Sequence, residues 1–243
     1  MKRYISYMKN RKFVSATNDT NIPHYSTSEG GVDYPVVSGF QLASIACDFS
    51  GVVPPFFMKA KFKDFVPVDS TVDFSGDYNN VFCTREDLVM KASFSSDVSF
   101  PASDSLDQIL SVPLEGDEFK QSIESYNYSC ETEGIPYLYP VSFSSSALLS
   151  LDFETPENKM YFYSGQDISV FSPVDEGGRL DFYLEKLKHS KRGAFAGLMI
   201  FDEKKPVARV GLTLLLADKS LLGYDSVTDE PEPIAQTAGY GYP

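Results

Sequence analysis

Two stretches of the chain have the apolar spacing of an amphipathic helix. In each, hydrophobic residues recur about three, four and seven positions apart, which places them on one face of a helix. The members of the two faces are Leu42, Ile45, Ala46 and Phe49, and then Phe143, Ala147, Leu148 and Leu151. We therefore predict two buried helices, near residues 36–49 and 142–153.

After each predicted helix the pattern changes to alternation of apolar and polar residues, which is typical of half-buried antiparallel strands. The alternating stretches are residues 58–63 and 90–95 in the first half and residues 180–184 in the second. Two apolar runs, residues 194–201 and 207–216, flank a polar turn, so they predict a hairpin.

Short motifs recur in the same order in the two halves of the chain. These are Tyr-Pro-Val at residues 34–36 and 139–141, Phe-x-Pro-Val-Asp at 65–69 and 171–175, and Asp-Phe at 73–74 and 181–182. The offset stays between 105 and 108 residues, and the two predicted helices follow it. Duplication explains this order better than chance does.

One helix followed by several antiparallel strands, twice over, predicts an α+β architecture in which each sheet wraps around its own central helix. This is the pattern of a double, or tandem, hot-dog fold. We assign residues 1–110 to the first domain and 111–217 to the second. Residues 218–243 lack periodicity and are expected to form a tail, and the acidic stretch 101–135 to carry the connection and the first strand of the second domain.

The overall charge limits the classes of partner. With 34 acidic residues against 21 basic ones, the net charge of −13 repels nucleic acid and anionic lipid. No apolar run reaches the length of a signal sequence or a membrane span, so we expect a cytoplasmic protein without nucleic-acid or membrane partners. Three widely spaced cysteines and only two histidines favour a reducing compartment and predict no metal site.

The most informative motif lies in the first half. Asp-Thr-Asn-Ile-Pro-His at residues 19–24 is followed by Pro-Val-Val-Ser-Gly at residues 35–39, where the first predicted helix begins. These residues resemble the signature of the MaoC-like (R)-specific enoyl-thioester hydratases, in which Asp-x-Asn-Pro-x-His precedes Pro-Ile-x-His-Gly. The resemblance extends through residues 56–69 and, together with the repeat, covers most of the chain in outline.

The resemblance implies roles for five residues. Asp19 and His24 would activate a water molecule, and the Gly39 N–H would stabilise the oxyanion of a thioester. Asn21 and Ser38 would contact the substrate. The implied reaction is the reversible hydration of trans-2-enoyl thioesters, with no cofactor other than the thioester itself, and one active site per chain because the second half lacks the motif.

The motif also departs from the family pattern, which leaves alternatives open. Ile22-Pro23 inverts the usual order, and Ser38 stands where the family often has histidine. A non-catalytic acyl-thioester-binding protein and a thioester hydrolase therefore remain alternatives, although a hydrolase would need a carboxylate on the central helix, which offers none before Asp48. Coenzyme A and an acyl carrier protein both remain candidate carriers, and a homodimer is compatible with the sequence.

Overall fold

The computed structural model describes residues 1–98, 106–151, 155–156 and 158–222. Within these ranges it contains ten strands, which are β1 Lys2–Ile5, β2 Phe56–Phe62, β3 Ser70–Gly76, β4 Asn80–Thr84, β5 Leu88–Ser95, β6 Asp107–Pro113, β7 Lys159–Val170, β8 Arg179–Ser190, β9 Gly193–Asp202 and β10 Lys205–Asp218. The α-helices are α1 Tyr7–Ala16, α2 Gly39–Ser50, α3 Gly116–Cys130, α4 Tyr139–Ser142 and α5 Ser144–Leu149. Short 3₁₀ helices span Ile22–His24, Thr27–Glu29 and Lys219–Leu222.

The strands form one antiparallel sheet in the order β1-β3-β4-β5-β2-β7-β10-β9-β8-β6. The order is symmetric about the β2–β7 pair: β1, β3, β4, β5 and β2 on one side correspond to β6, β8, β9, β10 and β7 on the other. The two halves thus share one topology, as a duplicated sequence requires. Strand β6 includes residue 110 and pairs with β8, so this part of the sheet belongs spatially to the second half.

Helix α2 is the central helix of the first half. Its neighbours bury most of its length, because it is apolar on almost every side, and only its last turn reaches solvent. Ser38 has the extended conformation of an N-cap residue. Gly51 follows the helix in the left-handed region, with φ of 68°, and this conformation ends the helix.

The main elements predicted from periodicity are confirmed. Helix α2 falls within the first predicted helix to one residue, and strands β2, β5, β8 and the β9–β10 hairpin lie where alternation and apolar runs placed them. The second central helix is divided between α4 and α5 and ends at Leu149. Residues 152–153, where its end was predicted, and residues 223–243 of the predicted tail lie outside the described residues.

Two helices were missed from the sequence. Helix α1 lies in the charged N-terminal segment, and α3 lies in the acidic stretch that we expected to carry only a connection and a strand. They pack against each other, and Tyr126 of α3 is fully buried, with its hydroxyl 2.5 Å from Ser44 Oγ and 3.3 Å from Ser142 Oγ. Helix α3 therefore joins the two central helices through a buried polar contact.

None of the helices in the described ranges combines the length and the apolar character needed to span a membrane.

Candidate active site

The loop that follows α1 carries both members of the predicted Asp–His pair. The Asp19 N–H donates to the Val14 carbonyl at 2.8 Å, which turns the chain back across the end of α1. A 3₁₀ helix then runs from Ile22 to His24, with Pro23 in its first turn. Both side chains are buried, with Asp19 1% exposed and His24 5% exposed. A polar surface loop would leave such side chains in water, so this segment is built into the interior.

The two side chains face each other. His24 Nε2 lies 3.5 Å from Asp19 Oδ2, and His24 Nδ1 lies 2.9 Å from the carbonyl oxygen of Val36. Because a carbonyl only accepts, Nδ1 carries a proton, and in the neutral ring Nε2 presents its lone pair toward the carboxylate. Two acceptors at this distance are compatible only when they share a proton or when a water molecule at their side donates a hydrogen bond to each. The arrangement is therefore suited to holding and transferring a proton.

The carboxylate of Asp19 is held from one side only. Its Oδ1 accepts a hydrogen bond from the Asn21 N–H at 3.2 Å. The hydroxyl of Tyr25 donates to the main-chain carbonyl of Asp19 at 2.8 Å and so holds the backbone rather than the carboxylate. Oδ2 is buried and accepts no hydrogen bond from any group in the described ranges. An acceptor that is buried without a donor is costly, so this oxygen is a candidate for contact with a reacting molecule.

Gly39 lies at the first position of α2 and contacts the same cavity as His24. No group in the part of the chain that the structure describes accepts a hydrogen bond from its N–H. The cavity has a volume of about 50 Å³, and Asn21, Phe62 and Tyr163 also line it. A Cβ at Gly39 would lie 3.2 Å from Phe62 Cζ, so glycine permits the close approach of the ring to the helix start.

Asn10 of α1, which sequence reasoning did not select, holds the segments of the site together. Its Nδ2 donates to the carbonyls of His24 at 3.2 Å and Val36 at 3.4 Å, and its Oδ1 accepts from the Ser38 N–H at 3.1 Å. Asn10 is fully buried. This amide fixes the histidine, the carbonyl that selects its tautomer, and the N-cap of α2 relative to one another. An isolated polar residue in an unrecognised helix gave no signal for this role.

The two residues predicted to bind substrate occupy different positions. Asn21 lines the small cavity and also a larger one of about 490 Å³. Ser38 is fully buried, and its Oγ has no hydrogen-bond partner within the described ranges. Asn21 therefore lies where it can contact a ligand. Ser38 instead precedes α2 as its N-cap residue, and its N–H donates a hydrogen bond to Asn10 Oδ1.

The second half also contributes to the site, through β7. Leu212 pairs with Gln166, Thr213 with Gly165 and Leu214 with Tyr163, so the strand bulges at Ser164. The bulge turns the side chains of Tyr163 and Gln166 toward the same face of the sheet. The predicted site of the first half thus also depends on residues more than a hundred positions further along the chain, which no local motif could reveal.

Tyr163 stands between the two cavities and lines both. Its hydroxyl contacts Ser145 Oγ. Burial raises the pKa of Tyr163 above its usual value, and the negative charge of Asp19 raises this pKa further, so the phenol stays protonated. The larger cavity extends from here between apolar side chains that include Leu148, Leu151, Met160 and Leu214.

Among the described residues, the other candidate groups do not form a comparable centre. The described residues contain no cluster of three or more histidine, cysteine or acidic side chains arranged to hold a metal ion. Burial raises the pKa of the Cys47 thiol to about 12, so this cysteine is not an activated nucleophile. Asp48 is exposed in the last turn of α2 and lines a separate cavity with Cys47 and Gly51.

Solved structures share this fold. One described as a MaoC-like dehydratase aligns with a TM-score of 0.54 and 9% identity, covering 88% of this chain and 95% of that chain. One assigned as an oleoyl thioesterase, from Lactobacillus plantarum, aligns with a TM-score of 0.51 and 10% identity, covering 90% of this chain and 96% of that chain. The predicted double hot-dog fold is therefore confirmed.

A third structure is the full-length peroxisomal multifunctional enzyme type 2 from Drosophila melanogaster, with a TM-score of 0.53 and 13% identity. The alignment covers 88% of this chain but only 48% of that one. No protein-family model and no curated protein matches the sequence. Similarity at these identities defines the fold class, and the chemistry must be argued from the site itself.

Proposed function

We propose that this protein catalyses the reversible hydration of trans-2-enoyl thioesters and the dehydration of (R)-3-hydroxyacyl thioesters. The observation that supports this most directly is the buried pair formed by Asp19 Oδ2 and His24 Nε2, 3.5 Å apart beside the start of α2. The MaoC-like dehydratase among the structures of the same fold supports the reaction class.

The side chains fit the proton transfers of hydration. Asp19 and His24 hold a water molecule, and Nε2 accepts one of its protons while the water oxygen bonds to the β-carbon of the enoyl group. The electrons of the carbon–carbon double bond move toward the thioester carbonyl, and its oxygen gains negative charge. The Gly39 N–H at the positive end of the α2 dipole stabilises this oxygen, and His24 Nε2 then gives the proton it took from water to the α-carbon. Dehydration is the same sequence reversed.

The larger cavity accounts for the acyl part of the substrate. It adjoins Asn21 and Pro23 of the catalytic loop, and its lining includes four leucines, Met160 and two tyrosines together with Lys159 and Lys219. A volume of about 490 Å³ lies within the range of pockets that bind small molecules. The proposed substrates are therefore acyl thioesters with a hydrocarbon chain, carried by coenzyme A or an acyl carrier protein.

Thioester hydrolysis is the second candidate, because the assigned oleoyl thioesterase has the same fold. A hydrolase that used a carboxylate of the central helix would require Asp48, which lies in the exposed last turn of α2 and outside the cavity beside Gly39. The position of Asp48 therefore favours the hydratase over this hydrolytic mechanism.

Two assays on the same samples separate the candidates. Hydration of crotonyl and longer enoyl thioesters is followed by the loss of their ultraviolet absorbance, and hydrolysis by release of the free thiol. We expect hydration by the wild type and a loss of about 100-fold or more in Asp19→Asn and in His24→Ala, because both groups take part in proton transfer.

The controls change residues of the same type outside the site. His189→Ala removes the other histidine, which is exposed at the end of β8, and Asp48→Asn removes the carboxylate of α2. Both are expected to hydrate as fast as the wild type. Thiol release that depends on Asp48, without hydration at any acyl length, would replace the proposal with hydrolysis.

A further inference from the structure

We propose that the side-chain amide of Gln166 is a second hydrogen-bond donor to the thioester oxygen, so that the second half of the chain completes the oxyanion site of the first. This inference rests on the proposed function and adds to it a residue that no motif contains. It begins from an unusual feature of Gln166: its side chain is buried, with 1% of the residue exposed, and neither Nε2 nor Oε1 has a hydrogen-bond partner among the described residues.

A buried amide without partners destabilises a folded protein, because it has given up its hydrogen bonds to water and gained none in return. Such a group is retained where it has a use, and the surroundings of Gln166 show what that use is. A Cβ built on Gly39 would lie 3.5 Å from Gln166 Nε2. The amide is thus next to the first residue of α2, whose own N–H is the other donor.

The repeat supplies an independent argument. In the β2–β7 pair, Gln166 lies directly opposite Ala60, at the point where the two halves of the sheet meet. The sequence offset of about 106 residues makes Ala60 the first-half equivalent of Gln166, and Ser144 the second-half equivalent of Gly39. Each central helix is therefore matched with one residue from the other half.

The two combinations differ chemically. The start of α2 combines a glycine, which admits the Phe62 ring close to the helix start, with a glutamine from the opposite half. The corresponding positions of the second half combine Ser144, which has a side chain, with Ala60, which has no polar group. The Gln166 amide lies beside the start of α2, the central helix of the half that has the Asp–His pair. At the corresponding positions of the second half, both the amide and the Asp–His pair are absent. A purely structural glutamine gives no reason for this association.

The test compares Gln166→Leu with Gln41→Leu. Gln41 is a matched control because it is also fully buried and has an unpartnered Oε1, but its Nε2 donates to the Ser129 carbonyl, on the side of α2 that faces α3. Removal of one oxyanion donor lowers kcat by about 100-fold or more. We expect Gln166→Leu to lower kcat for hydration by this order with little change in KM, because the charge on the oxygen develops only in the transition state. Gln41→Leu should retain the wild-type kcat.

A second readout requires no turnover. In a saturated acyl-coenzyme A labelled with ¹³C at its carbonyl, two donors polarise the bound carbonyl and move its NMR signal away from the position in free solution. We expect Gln166→Leu to move the signal back toward the free position and Gln41→Leu to leave it unchanged. If Gln166→Leu fails to fold, Gln166→Met, which keeps the unbranched shape, takes its place.

The outcomes distinguish the two claims. Wild-type hydration together with an unchanged kcat and carbonyl signal in the Gln166 variant overturns the donor role and leaves the proposed function standing. Absence of hydration together with a carbonyl signal that depends on Gln166 overturns the proposed function and supports the donor. A wild-type protein that binds no acyl thioester overturns both.

Discussion

Truncation of Asn10 tests whether the site is held together from α1. In Asn10→Ala the His24 carbonyl and the Ser38 N–H lose their hydrogen bonds to the amide, whereas the Val36 carbonyl keeps the bond from His24 Nδ1. Two backbone groups are thereby left without partners in the interior. At roughly 1–3 kcal/mol for each unsatisfied group, the expected loss in the free energy of unfolding is about 3 kcal/mol.

Asn127→Ala provides the matched control. Asn127 also lies in a helix, its Nδ2 donates to the Gly134 carbonyl, and its Oδ1 accepts from the Thr132 hydroxyl. It is only half-buried, so water replaces the lost partners, and the expected loss is below about 1 kcal/mol. The two variants therefore delete the same chemical group in a buried and in an accessible place.

Urea unfolding measures both losses from the transition midpoint, provided that the denaturant dependence of the free energy is unchanged. Hydration by the folded Asn10→Ala protein should also fall, because His24 and the start of α2 are no longer fixed relative to each other. Equal destabilisation by Asn10→Ala and Asn127→Ala would refute the claim that the Asn10 amide organises the site.

Two further predictions concern thiol chemistry and pH. Burial raises the pKa of the thiols of Cys47, Cys83 and Cys130. At pH 8 all three should therefore resist a thiol reagent in the native protein and become reactive in urea. Fast labelling of the native protein would contradict their burial. The ion pairs of Glu131 with Lys9 and Arg3 lower the pKa of its carboxyl below the usual value of 4.5. A lowered pKa stabilises the fold above pH 4.5, and this contribution is lost as the pH falls through the folded pKa. Because the carboxylate is partly exposed and solvent screens its ion pairs, Glu131→Gln should lose only about 0.5 kcal/mol in the free energy of unfolding at pH 7. In parallel urea titrations the difference from the wild type should shrink as the pH is lowered below 4.5, and a pH-independent difference would exclude the ion pairs as its cause.

The sequence by itself determined the repeated architecture and the local part of the site. Helix α2, the alternating strands and the β9–β10 hairpin follow from periodicity, because the face that each residue presents is fixed by the geometry of its own element. Asp19 and His24 lie in one short loop, and Gly39 follows at the start of the next helix, so their spacing along the chain placed them near one another. Their catalytic roles stay predictions until the variants are measured.

The tertiary structure decided the contacts that cross between elements. Helices α1 and α3 contain so many polar residues that hydrophobic periodicity does not reveal their buried faces, so Asn10 could not be identified from the sequence pattern. Gln166 reaches the start of α2 only because β7 pairs with β2 in one register and bulges at Ser164. Strand register and bulges depend on the partner strand and on the whole sheet, and for this physical reason the contribution of the second half to the site was not determined by the local sequence.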